Sequence, residues 1–340
     1  MLDYLKKAIT SQFDMTVPEG LVVTRLEAET ESILYFFFQD RSQRPFLVIK
    51  AAGHPGSVQR LEEEYGNLFR IRASLPEKLQ RTIPCTHGEG RFFDHYYFIQ
   101  EYVQGSMLPE EIETNRLGEP TESAARRIDL AWKWLTDFQA ATSGDSRPLV
   151  WFDLHRMITR YRSAYECDAA EVDYMSVLES RLEELKHEHV VTVACHGDLF
   201  PGNVIVGKEE VTIIDWRDYR AVYHPVFDIT TLLTTFRVPS NHVNDIEGNM
   251  ESTLFRESGI VHKLHTSVDQ LVKARGISEE IFGLLLGFSL LEWSTSEYAE
   301  GKVVTDKDLA WRRRLRCYMA NRERSGVGAH WAESSSRGEA

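Results

Sequence analysis

No run of about eighteen apolar residues occurs in this chain of 340 residues, so no membrane-crossing helix is expected. Cysteine is scarce. Cys85, Cys167, Cys195 and Cys317 are scattered, and no two form a CxxC pair. That argues against a disulfide framework or a zinc site and fits a reducing, cytoplasmic location. Positive charge is also short: 39 Lys and Arg stand against 52 Asp and Glu, for a net charge of −13. Neutralising a phosphate backbone needs a basic surface, so a nucleic-acid partner is not expected. The opening residues, MLDYLKKAITSQF, are amphipathic and lack the apolar core of a secretory signal. There is no internal repeat.

What remains is an ordinary globular composition, 42% hydrophobic and 27% charged, long enough for one large domain or two lobes. β-branched and aromatic residues predict strands at Leu21–Leu26, Ile33–Gln39 and Pro45–Ala51. Helical periodicity runs from Ser57 to Ser74, with Leu61, Leu68 and Ile71 along one side and Ser57 as the expected N-cap. A further strand is expected over Tyr96–Val103, broken by Gly105. From about Glu122 the pattern turns helical, over Glu122–Thr142, Leu154–Glu166, Val172–Glu188, Val226–Phe236, Val261–Ala274, Ser278–Tyr298 and Asp306–Arg322. Residues 1–102 therefore read as a small sheet-rich part and 103–323 as a larger helical one. Residues 324–340, polar and rich in Gly and Ser, are expected to be disordered.

One segment is unlike the rest. VACHGDLFPGNVIVGKEEVTIIDW, from Val193 to Trp216, places Asp198 and Asn203 five positions apart on a loop and sets Asp215 at the end of a β-branched run. Phosphoryl transfer needs a carboxylate beside the attacking hydroxyl and oxygen ligands for magnesium. Asp198 suits the first task, as general base or as the group orienting the acceptor. Asn203 and Asp215 suit the second. Asp is common in turns, and Asp198 alone would carry little weight. The matching Asn203 and Asp215 reverse that. His196 has no evident proton-transfer task and reads as a fixture of the loop backbone. Cys195 lacks an activating partner and reads as a buried thiol.

The pattern HGDLFPGN followed by IIDW resembles the aminoglycoside phosphotransferase and choline kinase family of small-molecule kinases. The resemblance extends from about Leu21 to about Tyr318. The Asp–Asn spacing is also that of a protein-kinase catalytic loop. Here, however, Gly197 stands where Arg is usual, Phe200 occupies the position of the protein-kinase Lys, and no Ala-Pro-Glu-like segment follows Asp215. The resemblance implies an α+β, bilobal, protein-kinase-like fold, with a nucleotide-binding sheet-rich lobe and a helical lobe for catalysis and acceptor binding. It implies ATP as phosphoryl donor and Mg2+ as metal. Lys50, ending the strand Phe46–Ile49, would neutralise the α- and β-phosphates. Of Glu62, Glu63 and Glu64, family patterns pick Glu64 as its partner, the other two being a solvated face. Gln100–Val103 resembles the linker that reads adenine, through the Glu101 carbonyl and the Val103 amide. Asp228 resembles an acidic residue at a helix start that caps the helix or braces the catalytic loop.

Two further expectations follow. The acceptor is a small-molecule hydroxyl of aminoglycoside, amino-alcohol, amino-acid or sugar type. The net charge, the 218–220 loop and Glu292-Trp293 are compatible with a cationic one. The stretch Arg25–Ser32 contains no glycine where relatives place one or more near the phosphates, although Ser32 offers a hydroxyl. That absence keeps a second reading open: a pseudokinase that holds a nucleotide or ligand with little turnover. Lys50, Asp198, Asn203 and Asp215 together oppose it.

Overall fold

The computed structural model describes residues 22–27, 32–38, 44–93, 95–108, 121–236, 246–255, 259–296 and 304–321, together with Tyr4, Lys7, Glu113 and Tyr298. The tail at 324–340, and most of the glycine-free stretch before Ser32, lie outside them. The described residues fall into two compact units. One comprises those up to Met107 together with Asn203–Tyr219. The other comprises those of Leu108–Gly202 and those from Arg220 onward.

The first unit is built on a five-stranded antiparallel sheet of β1 (Val22–Glu27), β2 (Ser32–Phe38), β3 (Pro45–Ala52), β4 (Thr86–Phe92) and β5 (His95–Glu101), in the order β1-β2-β3-β5-β4. Strand side chains alternate between faces. One face gathers Tyr35, Phe37, Leu47, Ile49, Ala51, Tyr97 and Ile99 into a buried cluster. The register Leu34↔Lys50, Phe36↔Val48 and Val48↔Gln100 puts those residues on the opposite face. Strand β4, THGEGRF, was not foreseen. It has two glycines and no β-branched residue beyond Thr86, and its pairing with β5 supplies what its propensity lacks.

The Val58–Ser74 helix buries Leu61, Glu64, Leu68 and Ile71, one stripe at helical spacing. Ser57 stands at its N-cap position but makes no side-chain cap bond. The Ser57 hydroxyl donates instead to the His54 carbonyl at 2.8 Å, within a capping box around the preceding turn.

Residues 203–219 join this unit although they follow the first helices of the other in sequence. Val204–Val206 and Val211–Ile213 form a hairpin, and Ser106–Met107 adds a third strand. The Ile213 amide donates to the Thr82 carbonyl at 2.9 Å, and Asn67 Nδ2 donates to the Trp216 and Arg217 carbonyls at 2.9 and 3.0 Å. The chain therefore passes between the two units three times, after Met107, Gly202 and Tyr219.

The second unit is mainly helical: Glu122–Ala141, Leu154–Ala164, Ala169–Leu185, Val226–Thr235, Ile246–Leu254, Gly259–Ala274, Glu279–Trp293 and Asp306–Asn321. Its boundaries follow its caps. Thr121 accepts from the Ala124 amide, and Ser278 from the Ile281 amide. The Asp168–Glu171 capping box starts the third helix at Ala169, earlier than the expected Val172. The Glu279–Trp293 helix stops short of the expected Tyr298, and Ser294 and Thr295 follow it in a turn, their hydroxyls bonded back to the Leu290 and Leu291 carbonyls. Val226–Thr235 is buried on nearly all sides, and Thr230, Thr231 and Thr234 each satisfy their hydroxyl four residues back along the helix. Ile246–Leu254, lacking a clear sequence signal, was not foreseen. Among the described residues no helix is long and apolar enough to cross a membrane.

Candidate active site

In the first unit, the face of the sheet opposite the aromatic cluster opens on a cavity of about 370 Å³. Leu34, Phe36, Val48, Met107, Ile205 and Ile214 give it apolar walls. Glu101 and Val103 border it, while Lys50, Glu64, Asn203, Asp215 and Ser32 supply its polar groups. Gly105 is required in this lining. Its φ is +154°, and a Cβ there would meet the Val206 carbonyl oxygen at 2.6 Å.

The charged end is a chain of three groups. Lys50 Nζ lies 2.6 Å from Glu64 Oε2 and 3.2 Å from Asp215 Oδ1. β3 delivers Lys50, the buried stripe of the Val58–Ser74 helix delivers Glu64, and the turn after Ile214 delivers Asp215. Asp215 sits in the left-handed region at φ 64°, a conformation Asp tolerates better than most residues. Burial works against the charge on Lys50, but Glu64 and Asp215 outweigh it and raise its pKa. Burial pushes the Glu64 carboxyl up to about 7, against the pull of Lys50 and with added repulsion from Asp215. The cluster thus holds two carboxylates to one ammonium. Of the three adjacent glutamates, Glu62 pairs with Arg91 and Glu63 accepts from Gln59, so Glu64 is the one that reaches Lys50.

Glu101 spends its carboxylate on the Cys85 amide at 2.8 Å, and its own amide donates to the Cys85 carbonyl at 2.9 Å. Neither bond involves the Glu101 carbonyl. Asn203 and Asp215, whose side chains carry hard oxygen donors, both line the cavity, with no Cys or His among its lining residues. That donor set fits magnesium, which accepts few protein ligands and takes the rest from phosphates and water.

Asp198 belongs to the second unit, on a loop held from below. The His196 amide donates to Asp228 Oδ2 at 2.7 Å and the Gly197 amide to Asp228 Oδ1 at 3.0 Å. Asp228 is fully buried at the first turn of the Val226–Thr235 helix. Burial raises its pKa, and the His196 and Gly197 amides oppose that. Gly197 has φ 87°, which only glycine adopts freely. The Asp198 amide donates to His196 Nδ1 at 3.3 Å, so the imidazole braces the loop. Cys195, buried just before it, has its thiol pKa pushed well up by burial and is inert as a nucleophile.

Glu292 and Trp293 are both engaged by neighbours within the second unit. Trp293 is core: it is buried, it stacks on Phe227 and Trp311, and its Nε1 donates to Thr231 Oγ1 at 2.8 Å. Glu292 is held by Arg220 and by the Tyr223 hydroxyl. Sequence reasoning missed this pairing, as it missed Asn67 and the apolar cavity walls. The walls had a signal, since they alternate with the core residues of β2 and β3. The Arg220–Glu292 pair had none, being joined only by the fold.

Three comparisons bear on this arrangement. In sequence, a stretch of 72 residues is 32% identical to protein LicA of Haemophilus influenzae, and it covers 21% of this chain and only 26% of that protein. In structure, an aminoglycoside phosphotransferase APH(4)-Ia mutant in ternary complex with AMP-PNP and hygromycin B superposes with TM-score 0.57 at 16% identity, over 94% of this chain and 98% of that one. Choline kinase LicA from Streptococcus pneumoniae gives TM-score 0.55 at 17% identity, over 94% and 99%. Macrolide 2'-phosphotransferase MphH from Brachybacterium faecium gives 0.52 at 14%, over 94% and 98%. At such identities these structures speak to the fold, which is the α+β, kinase-like one. The model of the phosphotransferase enzyme family matches residues 24–248, a span that takes in Lys50, Glu64, the Asp198 loop and Asp215, and on that match the chain belongs to the phosphotransferase enzyme family.

Proposed function

We propose that this chain transfers the γ-phosphoryl group of ATP, with magnesium, to a hydroxyl group of a small molecule. The observation that carries this reading is the Lys50–Glu64–Asp215 chain at the polar end of an otherwise apolar cavity. The apolar walls suit a purine ring, with the Glu101 carbonyl and the Val103 amide reading its edge. Lys50, positioned by Glu64, meets the α- and β-phosphates as a fixed cation. Asp215 and Asn203 hold the metal, whose charge, when bound, offsets that of the phosphates.

Asp198 acts on the acceptor. Its carboxylate orients the hydroxyl and takes its proton as the oxygen attacks the γ-phosphorus and the bond to the ADP oxygen breaks. Asp228 and His196 position Asp198 by fixing the backbone amides of residues 196, 197 and 198. The four cysteines are free thiols, in keeping with a reducing cytoplasm.

The test is an ADP-release screen with Mg-ATP across aminoglycosides, amino alcohols, amino acids and sugars, run beside a thermal-shift titration with Mg-ATP. Acceptor-dependent ADP release supports the reading. A Mg-ATP shift with no release from any acceptor would instead favour a nucleotide-binding protein without turnover.

A further inference from the structure

Arg220 fills a box of the kind that binds cations. The Arg220–Tyr223 strand pairs with Val193–Cys195, and Arg220 stands opposite Cys195, three positions before Asp198. Its guanidinium carbon lies 4.4 Å from the ring centroid of Tyr223 and 4.4 Å from that of Phe227. Its Nη1 reaches Glu292 Oε1 at 2.6 Å, and the other oxygen of Glu292 accepts from the Tyr223 hydroxyl. A carboxylate beside two aromatic rings is a general recipe for holding positive charge. Here the charge comes from the chain itself.

The box is stiff and still reachable. Phe227 stacks on Trp293 at 5.5 Å and Trp293 on Trp311 at 5.0 Å, so one wall is the end of a buried aromatic column. The Arg220 side chain is 32% exposed and that of Glu292 17%, so the pair faces outward from this column. It also neighbours the acceptor-handling loop, because Arg220 pairs across the strands with Cys195, the residue just before His196.

We propose that Arg220 is a specificity residue: its guanidinium closes this box to positively charged acceptors and leaves its remaining N–H donors for the oxygens of a neutral or anionic one. The inference rests on Asp198 being the acceptor-facing carboxylate, and it narrows the substrate class of that site. Two physical effects enforce it. A tethered guanidinium outcompetes a free cation because it is already in place. A second cation beside it would meet like charge with Glu292 already compensated.

The test uses the full chain and tetramethylammonium chloride as probe, with sodium chloride at equal ionic strength as reference. In wild type no saturable thermal shift specific to tetramethylammonium is expected. In Arg220→Ala a saturable rise in Tm is expected, and it should vanish in Arg220→Ala/Glu292→Ala. In the ADP-release screen the best wild-type acceptors should be neutral or anionic, and Arg220→Ala should lower the KM of amine-bearing acceptors by about tenfold. A tetramethylammonium shift in wild type that Glu292→Gln removes would overturn the proposal, even if Arg220→Ala does not fold. So would a best wild-type acceptor that is cationic, or an Arg220→Ala variant that folds and shows no shift. Absence of ADP release from every acceptor would defeat the phosphotransfer reading, and the tetramethylammonium arm would still decide whether Arg220 plugs a cation box.

Discussion

Each unit buries a glutamate within a cluster of charges, and the two glutamates are driven in opposite directions. Glu64, in the first unit, shares the single ammonium of Lys50 with Asp215, and its carboxyl is pushed up to about 7. Glu171, in the second, is opposed by burial but receives bonds from Arg312, Arg316, the Tyr161 hydroxyl and the Asp168 cap, and falls to about 2. Burial penalises both charges, so the count of partners decides the sign. The Glu171 cluster is saturated and ties the Asp306–Asn321 helix to Ala169–Leu185. The Glu64 cluster is short of positive charge, and it lies in an open cavity rather than between helices. A deficit of that kind is what an incoming metal or cationic group would fill. This difference separates a cluster built to hold the fold from one proposed to hold a ligand.

The largest expected effect separates chemistry from both clusters. Asp198→Ala should lower the transfer rate by about 10²–10⁴-fold while leaving Mg-ATP affinity nearly unchanged. Steady-state turnover and calorimetry on the folded variant check both halves, and near-normal turnover would remove Asp198 from its role.

Next in size is the structural cluster. Glu171→Ala takes away the carboxylate that Arg312 and Arg316 share, leaving Arg312 the Glu166 carbonyl and Arg316 the Asp168 carboxylate, and should cost about 3 kcal/mol of stability in urea unfolding, with turnover per folded molecule retained. Equal loss of nucleotide affinity would erase the contrast drawn above. In the other cluster, Lys50→Ala and Glu64→Ala should each weaken Mg-ATP binding, and the double variant should be little worse than Lys50→Ala alone. Fully additive losses would show that Glu64 does not act through Lys50.

pH sharpens the comparison through slopes of opposite sign. The ordinary carboxyl value for both residues is 4.5. The folded value of Glu171 lies below it, so its contribution is present above pH 4.5 and lost as pH falls through about 2. The folded value of Glu64 lies above it, so its contribution is present below pH 4.5 and lost as pH rises through about 7. Chemical denaturation across pH should show Glu171→Gln flattening the gain in stability as pH rises out of acid, and Glu64→Gln removing a loss of stability between about pH 4.5 and 7. The same slope change in both variants would contradict the assignment. The smallest effect is a control: Arg81 and Glu77 pair at i,i+4 with side chains 70% and 80% exposed, and Arg81→Ala should cost no more than about 0.5 kcal/mol.

What could be read from the sequence follows the range of the forces involved. Lys50 on a β-branched strand is a local pattern that sequence exposes, whereas Glu64 stood out from Glu62 and Glu63 only through the family resemblance. The capped helix starts are local too, though the Asp168 box shifted one of them by three residues. β4 was invisible because its strand character comes from β5. The placement of 203–219 in the first unit depends on Asn67, Thr82 and Ser106–Met107, all about a hundred residues or more away. Glu292 looked available as a bare residue type. Its partner Arg220 lies 72 positions earlier, and only the fold brings the two together.

The most direct test of the account is a calorimetric titration of Mg-ATP into wild type, Asp215→Ala and Glu171→Gln, each confirmed folded. Saturable magnesium-dependent binding is predicted for wild type and for Glu171→Gln, and its collapse is predicted for Asp215→Ala. An unchanged dissociation constant in Asp215→Ala would contradict the claim that the charge-deficient cluster is where the nucleotide and its metal are held.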